Sequence, residues 1–428
     1  MNKLSNKTYF RFISFMLAIS IFLPIVFENL PPIIRSHQVW VLLWLLSLLV
    51  LKSKILQNNL LQLVLVYGAV MFLLLNTLWI YIDDHNKGGI LGEFYNIAIA
   101  ISVIIYYRTE KDYTGLAKFV KWTFGFIVIT AIMSIITSII NPMYARDIVG
   151  VSSINIESER EAILSYRKYG GGGYGFASAI VCLFPMLIYY YKNNEKSYWN
   201  KRYLLLFVII IFLALIRIQI FANILISVVI IVLSLLGRKN VKKSRVYIGV
   251  LAVFLILIPM QFYIDMFIYV GSWFDTGSEN YFKLNDMARY FAEGGYKGTE
   301  AGIRMERYPL LWESFISNPI YGGKYSNGHL FWMNKLAVFG LLGTIPFLLI
   351  IYKHIKNNLK YFDKEFAFYF LISMFSIIAL GFMKALGGIE VWYLFFIIIP
   401  GFYYMPLIKK NEKIKVHNKR ALELKKVI

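Results

Sequence analysis

A few side chains in this sequence are of types that transfer a proton or hold an anion. His329 stands in NPIYGGKYSNGHLFW (318–332), where a long polar segment gives way to an apolar helix. An imidazole titrates near neutrality, so it suits a general base for a hydroxyl group. It also suits an interfacial residue at the start of a helix that Ser326 or Asn327 caps. Arg304 and Arg307 lie three apart on an expected helix and share a face. Two cations on one face repel unless an anion separates them. Glu300 or Glu306 supplies one from within, and a diphosphate supplies one from outside. Guanidinium forks match phosphate oxygens and stay charged. Arg217 is the only charge in YLLLFVIIIFLALIRIQIFANILISVVIIVLSLL. A charge at mid-membrane costs about 2.5–3.5 kcal/mol on insertion scales. Such an arginine either snorkels to the headgroups or faces a cavity and pairs an anionic substrate group. Arg160, Arg167 and Lys168 stand near ESERE (157–161), whose alternating acids fit an Arg-paired face or an acid-x-acid metal pair. Glu390 opens the last apolar block. Tyr308 and Tyr325 add aromatic surface.

The elements that must position these groups are membrane helices. The chain is 58% hydrophobic, with mean hydropathy +0.60 over 428 residues. Its apolar residues fall in blocks too long for soluble core helices. About twelve spans are expected, near 11–27, 38–51, 60–81, 89–107, 118–140, 174–191, 203–217, 219–236, 246–264, 329–352, 366–383 and 388–408. Spans seven and eight share fewer residues than the ~40 that two crossings need, so their hairpin must be tight, with Arg217 at it. The first span lacks a small-residue cleavage site and reads as an uncleaved anchor. With a cytoplasmic N-terminus and alternating spans, cytoplasmic segments and their flanks hold 30 of the 45 Lys and Arg but 7 of the 24 Asp and Glu. That bias follows the positive-inside rule and puts both termini in the cytoplasm. The net charge of +21 is then the mark of a cytoplasmic membrane face, which excludes nucleic acid as a partner.

The expected organisation is spans one to nine with an external loop at 141–173 (1–264), a long external loop (265–328), spans ten to twelve (329–408) and a basic cytoplasmic tail (409–428). The long loop contains two helical stretches, YFKLNDMARYFAEGG and AGIRMERYPLLWESFISN. In the second, Ile303, Tyr308, Leu311, Trp312 and Phe315 fall on one face. The run KYGGGGYG (168–175) has no Lys-Ser/Thr after it and no strand before it, so it is no phosphate loop. It reads as a flexible entry to span six. Cys182 is the only cysteine, and His37, His85, His329, His354 and His417 are scattered without ligand spacing.

The order RMERY, NPIYGG, HLFW, GLLG places Arg304, Tyr308, Pro319, Gly322, His329 and Gly340 at intervals that resemble the bacterial O-antigen polymerase and ligase family. The topology resembles that family over nearly the whole chain and the motif over 304–343. Tyr308 stands where many relatives have Trp, Leu330 follows the histidine where Asn is common, and Ile216 precedes Arg217 where a small residue is usual. The resemblance implies a GT-C-like all-α membrane protein working at the outer face of the cytoplasmic membrane. Its donor would be a glycan on undecaprenyl diphosphate and its acceptor a second glycan. The reaction would invert the anomeric carbon without metal or cofactor. His329 would take the acceptor proton, while Arg217 and Arg304 stabilise the departing diphosphate. Arg307, Arg160, Arg167, Tyr308, Tyr325 and Glu390 would bind substrate. A chain-length regulator and a flippase would be partner proteins, beside membrane lipids.

Two other readings compete. A ligase passing finished glycan to a lipid, wall or protein acceptor uses the same groups. A lipid-linked oligosaccharide flippase predicts charges lining central spans and inverted repeats. No internal repeat is present, and Glu93, Lys335, Lys384 and Glu390 are read as lying near span ends.

Overall fold

The computed structural model describes residues 3–74, 84–142, 144–150, 165–237, 260–294, 300–323 and 330–409. Among them the chain is all helical, with no strand. The helices that matter below are α1 (Lys3–Phe22), α2 (His37–Lys52), α3 (Asn59–Leu73), α4 (Asp84–Thr109), α5 (Tyr113–Ile140), α6 (Tyr144–Gly150), α7 (Tyr174–Lys192), α8 (Lys201–Ile218), α9 (Phe221–Leu236), α10 (Met260–Gly271), α11 (Glu279–Ala292), α12 (Glu300–Ser317), α13 (Phe331–Leu359), α14 (Lys364–Met383) and α15 (Ile389–Phe402). Five described helical segments are long and apolar enough to cross a membrane, and α3, α9 and α15 are shorter apolar helices.

Burial sorts these helices into a centre and a perimeter. In α15 the residues from Val391 to Ile399 are each at most 1% exposed. A helix apolar on every side belongs in the middle of a bundle. It packs against α4 and α7, and α7 in turn meets α8, α9 and α14. The perimeter helices instead expose large apolar side chains. Val50 is 79% exposed and Phe72 61%. Water would penalise such a surface, whereas lipid tails accept it. Several apolar helices with apolar outer faces make this a membrane protein.

Local signals explain the helix ends. Asp363 caps α14 by accepting from the backbone N–H groups of Glu365 and Phe366 at 3.0 and 2.8 Å. Ser278 caps α11 through the Tyr281 N–H. Helix α8 ends where Gln219 turns left-handed (φ 62°), and α9 starts two residues later. This is the tight hairpin read from the sequence. The two expected loop helices are present as α11 and α12, with α11 folded back on α10 around Phe267, Leu284 and Ala288.

The glycine run is not a flexible entry. Gly170, Gly171 and Gly172 are buried. The Gly172 N–H donates to Ser134 Oγ (2.8 Å) and its carbonyl accepts from the Tyr144 hydroxyl (3.0 Å). A methyl group at Gly171 would sit 2.7 Å from the Tyr144 ring. Glycine is needed here for close approach, so a composition that reads as loose is packed tight.

Asp112 pins the first helix to the turn between α4 and α5. Its carboxylate accepts from Arg11 Nε (2.7 Å) and Nη2 (2.6 Å) and caps α5 through the Gly115 N–H (3.0 Å). Burial alone would raise this carboxyl group's pKa, but the Arg11 fork and charge outweigh burial and hold it below its ordinary value. The stability gained is complete above the ordinary Asp pKa of about 3.9 and is lost as pH falls through the lower folded value. Asp112→Asn keeps the cap acceptor but loses the charge. In detergent it is expected to be less stable than wild type by about 1 kcal/mol at neutral pH, a gap that closes as pH falls through the lowered folded value of Asp112. A gap independent of pH would refute the pairing.

Candidate functional site

The motif that begins at Arg304 coincides with an unusual backbone device. Helix α13 is not one straight span. At Gly340 the backbone leaves helical geometry (φ 55°, ψ −160°), close to a region that only glycine populates readily. The two parts, 331–339 and 341–359, fold back on each other. Thr344 Oγ1 donates to the Lys335 carbonyl at 3.2 Å, and the rings of Phe331 and Phe347 lie 5.8 Å apart. In a straight helix those sixteen residues would span about 24 Å. The expected span at 329–352 is therefore corrected to a short helix, a sharp break and a long helix.

A break inside an apolar bundle leaves backbone groups that water cannot reach, so protein must satisfy them. The NPIYGG loop does this. The N–H groups of Leu341 and Leu342 donate to the carbonyls of Pro319 (2.8 Å) and Ile320 (3.0 Å), and Gly323 N–H donates to the Ala337 carbonyl (2.6 Å). Gly322, with φ 85°, passes so close that a methyl group would strike the Val338 carbonyl. The Pro-x-x-Gly and Gly-Leu-x-Gly pieces of the motif are thus two halves of one interlock.

Helix α12 leads into this interlock and docks on the folded-back piece through Tyr308 and Leu311, which meet Leu330, Met333 and Ala337. The face foreseen for α12 needs one correction. Leu311 is fully buried, but Trp312 is 48% exposed and turns outward with Leu310 and Ile316. Burial raises the pKa of the Tyr308 phenol, and its hydroxyl donates to the Phe382 carbonyl at 2.6 Å. That carbonyl belongs to the last turn of α14, where helical partners run out. The next free end is used as well, since Phe331 N–H donates to the Lys384 carbonyl (3.2 Å). Ser326 and Asn327, expected as the cap of this helix, lie outside the described residues. The N-cap position is Leu330, which offers no side-chain bond.

Polar and aromatic groups gather around that junction. Lys384 Nζ lies 5.1 Å from the centre of the Tyr174 ring. Half-buried Glu390 sits where α7 and α15 begin, its Oε2 2.8 Å from where a Gly175 Cβ would be. Exposed Arg167 contributes favourable charge to it. Arg307 is half-buried on α12. The structure brings Tyr308, Lys384 and the start of α13 together, and separately Arg167, Glu390 and the start of α7. Arg217 lies exposed in the last turn of α8, whose following residue but one, Gln219, donates to the Pro142 carbonyl (3.1 Å). Among the described residues it makes no ion pair. The side chain of Arg304 lies outside the described residues, as do Arg160, the ESERE stretch, Tyr325 and His329.

The largest departure from the sequence reading lies inside the bundle. Glu93 and Lys335, read singly as lying near span ends, face each other. Lys335 Nζ meets Glu93 Oε2 at 2.7 Å, with the two side chains only 5% and 9% exposed. Lys335 also donates to the Tyr67 hydroxyl (3.2 Å) and lies 4.6 Å from the Phe339 ring centre and 5.2 Å from that of Phe347. One acid and one base, each alone in an apolar block, is the signal that could have found them.

Comparison with protein-family models and with curated protein sequences finds no match to the chain.

Gly340→Ala is expected to lower the amount of folded protein sharply. Its added methyl would lie 2.6 Å from the Gly322 amide and against the Ile320 carbonyl, and the backbone strain alone costs about 1–3 kcal/mol. Gly92→Ala, which meets nothing within 4 Å, is the control. Equal melting temperatures for the two variants in detergent would contradict the interlock.

Proposed function

We propose that the chain is a glycosyltransferase of about twelve spans, with both termini in the cytoplasm and its active site at the outer face of the bacterial cytoplasmic membrane. Within that class the reading is a polymerase that joins lipid-linked repeat units into a surface polysaccharide, O-antigen or capsule. The observation that carries it is the coincidence of motif and interlock. The residues 324–329, including His329, run between Gly323, tied to Ala337, and Leu330, packed on Leu311. A base held at a fixed place needs such anchoring.

In the proposed reaction His329 accepts the acceptor hydroxyl's proton while that oxygen attacks the anomeric carbon. The diphosphate of the undecaprenyl carrier leaves from the opposite face, so configuration inverts. In this reading Arg304 and Arg217 stabilise the charge growing on the diphosphate, and Arg307, Arg160 and Arg167 bind substrate. Tyr308 has its hydroxyl committed to Phe382, so its part is to offer ring surface and to fix α12. Tyr325 stacks on sugar, and Glu390 holds a sugar hydroxyl. The apolar residues that α12 exposes, Leu310, Trp312 and Ile316, suit the lipid tail of such a carrier at the membrane interface. The ligase reading uses the same chemistry with another acceptor. Partners would be the lipid-linked donor, the acceptor glycan, a flippase and a chain-length regulator.

The test is the size of glycans on the lipid carrier in cells carrying His329→Ala, compared with wild type at equal protein level. Accumulation of single repeats with loss of long chains, by at least about a hundredfold for removal of a general base, is the expected result. Long chains stalled on the carrier would mean a ligase. An unchanged pattern would overturn the enzyme reading and favour a flippase.

A further inference from the structure

The proposed chemistry makes no use of the Glu93–Lys335 pair, although a buried pair of charges is among the costliest things an apolar bundle can hold. The pair is also incompletely matched. Glu93 Oε1 is buried without a hydrogen-bond partner among the described residues. Apolar residues of similar volume would serve net stability as well or better, so a role in specificity accounts for the pair more readily than stability does.

Its position supplies that role. Glu93 is on α4, Tyr67 on α3, and Lys335 in the middle of the folded-back piece 331–339. This piece is nine residues long, too short to hold helical structure alone. Its contacts with Phe347 and Trp392 are ring contacts, and the hydrogen bonds of Phe331, Trp332 and Ala337 run to Lys384, Ile378 and Gly323. Toward α3 and α4 the polar bonds come from Lys335, and apolar packing alone tolerates sliding and rotation more readily than an ion pair does. An ammonium group that must meet one carboxylate allows a single register. One turn of slip would strand both charges in an apolar surround.

We infer that Lys335 and Glu93 are a positioning pair. They lock the register of 331–339 against α3 and α4, and with it the start of α13, onto which the His329 segment is spliced. The consequence for catalysis rests on the function proposed above, but the lock itself does not.

Two readouts separate them. Cys182, the only cysteine, is replaced by serine to clear the background. Phe331→Cys and Phe347→Cys are added, and a short bifunctional thiol reagent is applied to native membranes. The rings at these positions are 5.8 Å apart, so efficient cross-linking is expected. Adding Glu93→Gln or Lys335→Met is expected to cut the yield by about tenfold, since removing one partner strands the other. The exchange Glu93→Lys with Lys335→Glu is expected to restore it. In chains with the native phenylalanines, Glu93→Gln and Lys335→Met are expected to shorten polysaccharide chains at equal protein level. Glu93→Asp and Lys335→Arg are expected to retain length. Cross-linking unaffected by the single changes would overturn the lock. Cross-linking that falls and returns as expected, in a protein whose His329→Ala variant makes normal glycan, would sustain the lock and remove the proposed function instead. Loss of cross-linking with undiminished glycan length, in a protein whose His329→Ala variant is defective, would overturn the positioning role.

Discussion

In an apolar environment no backbone N–H or C=O can be left to water, and this constraint shapes the part of the molecule where α12, α13 and α14 meet. Helix α13 breaks at Gly340 only because the loop 318–323 presents carbonyls to Leu341 and Leu342 and an amide to Ala337. Without that loop the break would leave buried groups unmatched, each costing about 1–3 kcal/mol. The loop in turn is held because α12 docks through Tyr308 onto the open carbonyl of Phe382. Every connection ends on a helix terminus that had a bond to give. The chain has turned the unsatisfied ends of α13 and α14 into joints.

Around these joints charge is sorted by depth. The interior pair, Glu93 with Lys335, is enclosed by rings and fixed in place. Other charged groups are more open: Arg167 is exposed and Arg307 and Glu390 are half-buried. Inside, a charge needs a partner at contact distance. At the rim, water keeps a cation charged without one, which leaves it able to meet an anion arriving from outside.

Much of the helical architecture was legible because periodicity and turn chemistry are local. The hairpin at Gln219 and the two loop helices follow from residues close in sequence. What stayed hidden depends on pairs far apart. Glu93 and Lys335 are separated by more than half the chain, and nothing local says that one faces the other. The break at Gly340 was equally opaque, because GLLG inside an apolar block reads as a small-residue helix face. Its meaning lies in the carbonyls of Pro319 and Ile320, some twenty residues earlier. The candidate site was legible as a motif order, while the physical reason for its two glycine pieces needed the fold. The shared face read for α12 did not say which of its residues pack inward: Leu311 is buried and Trp312 is 48% exposed.

The glycine run at 170–172 has a mechanical consequence. Three consecutive positions carry no side chain, and their backbone lies directly on Ile25, Met133, Tyr144 and Ser134. Side chains act as bearings between helices, since rotamers can yield when two elements shift. Backbone on ring and backbone on helix has almost no such compliance. The stretch after α1, the middle of α5 and the entry to α7 are therefore coupled as a stiff frame. The interlock of Gly322 and Gly340, where backbone also lies on backbone, makes a second such frame.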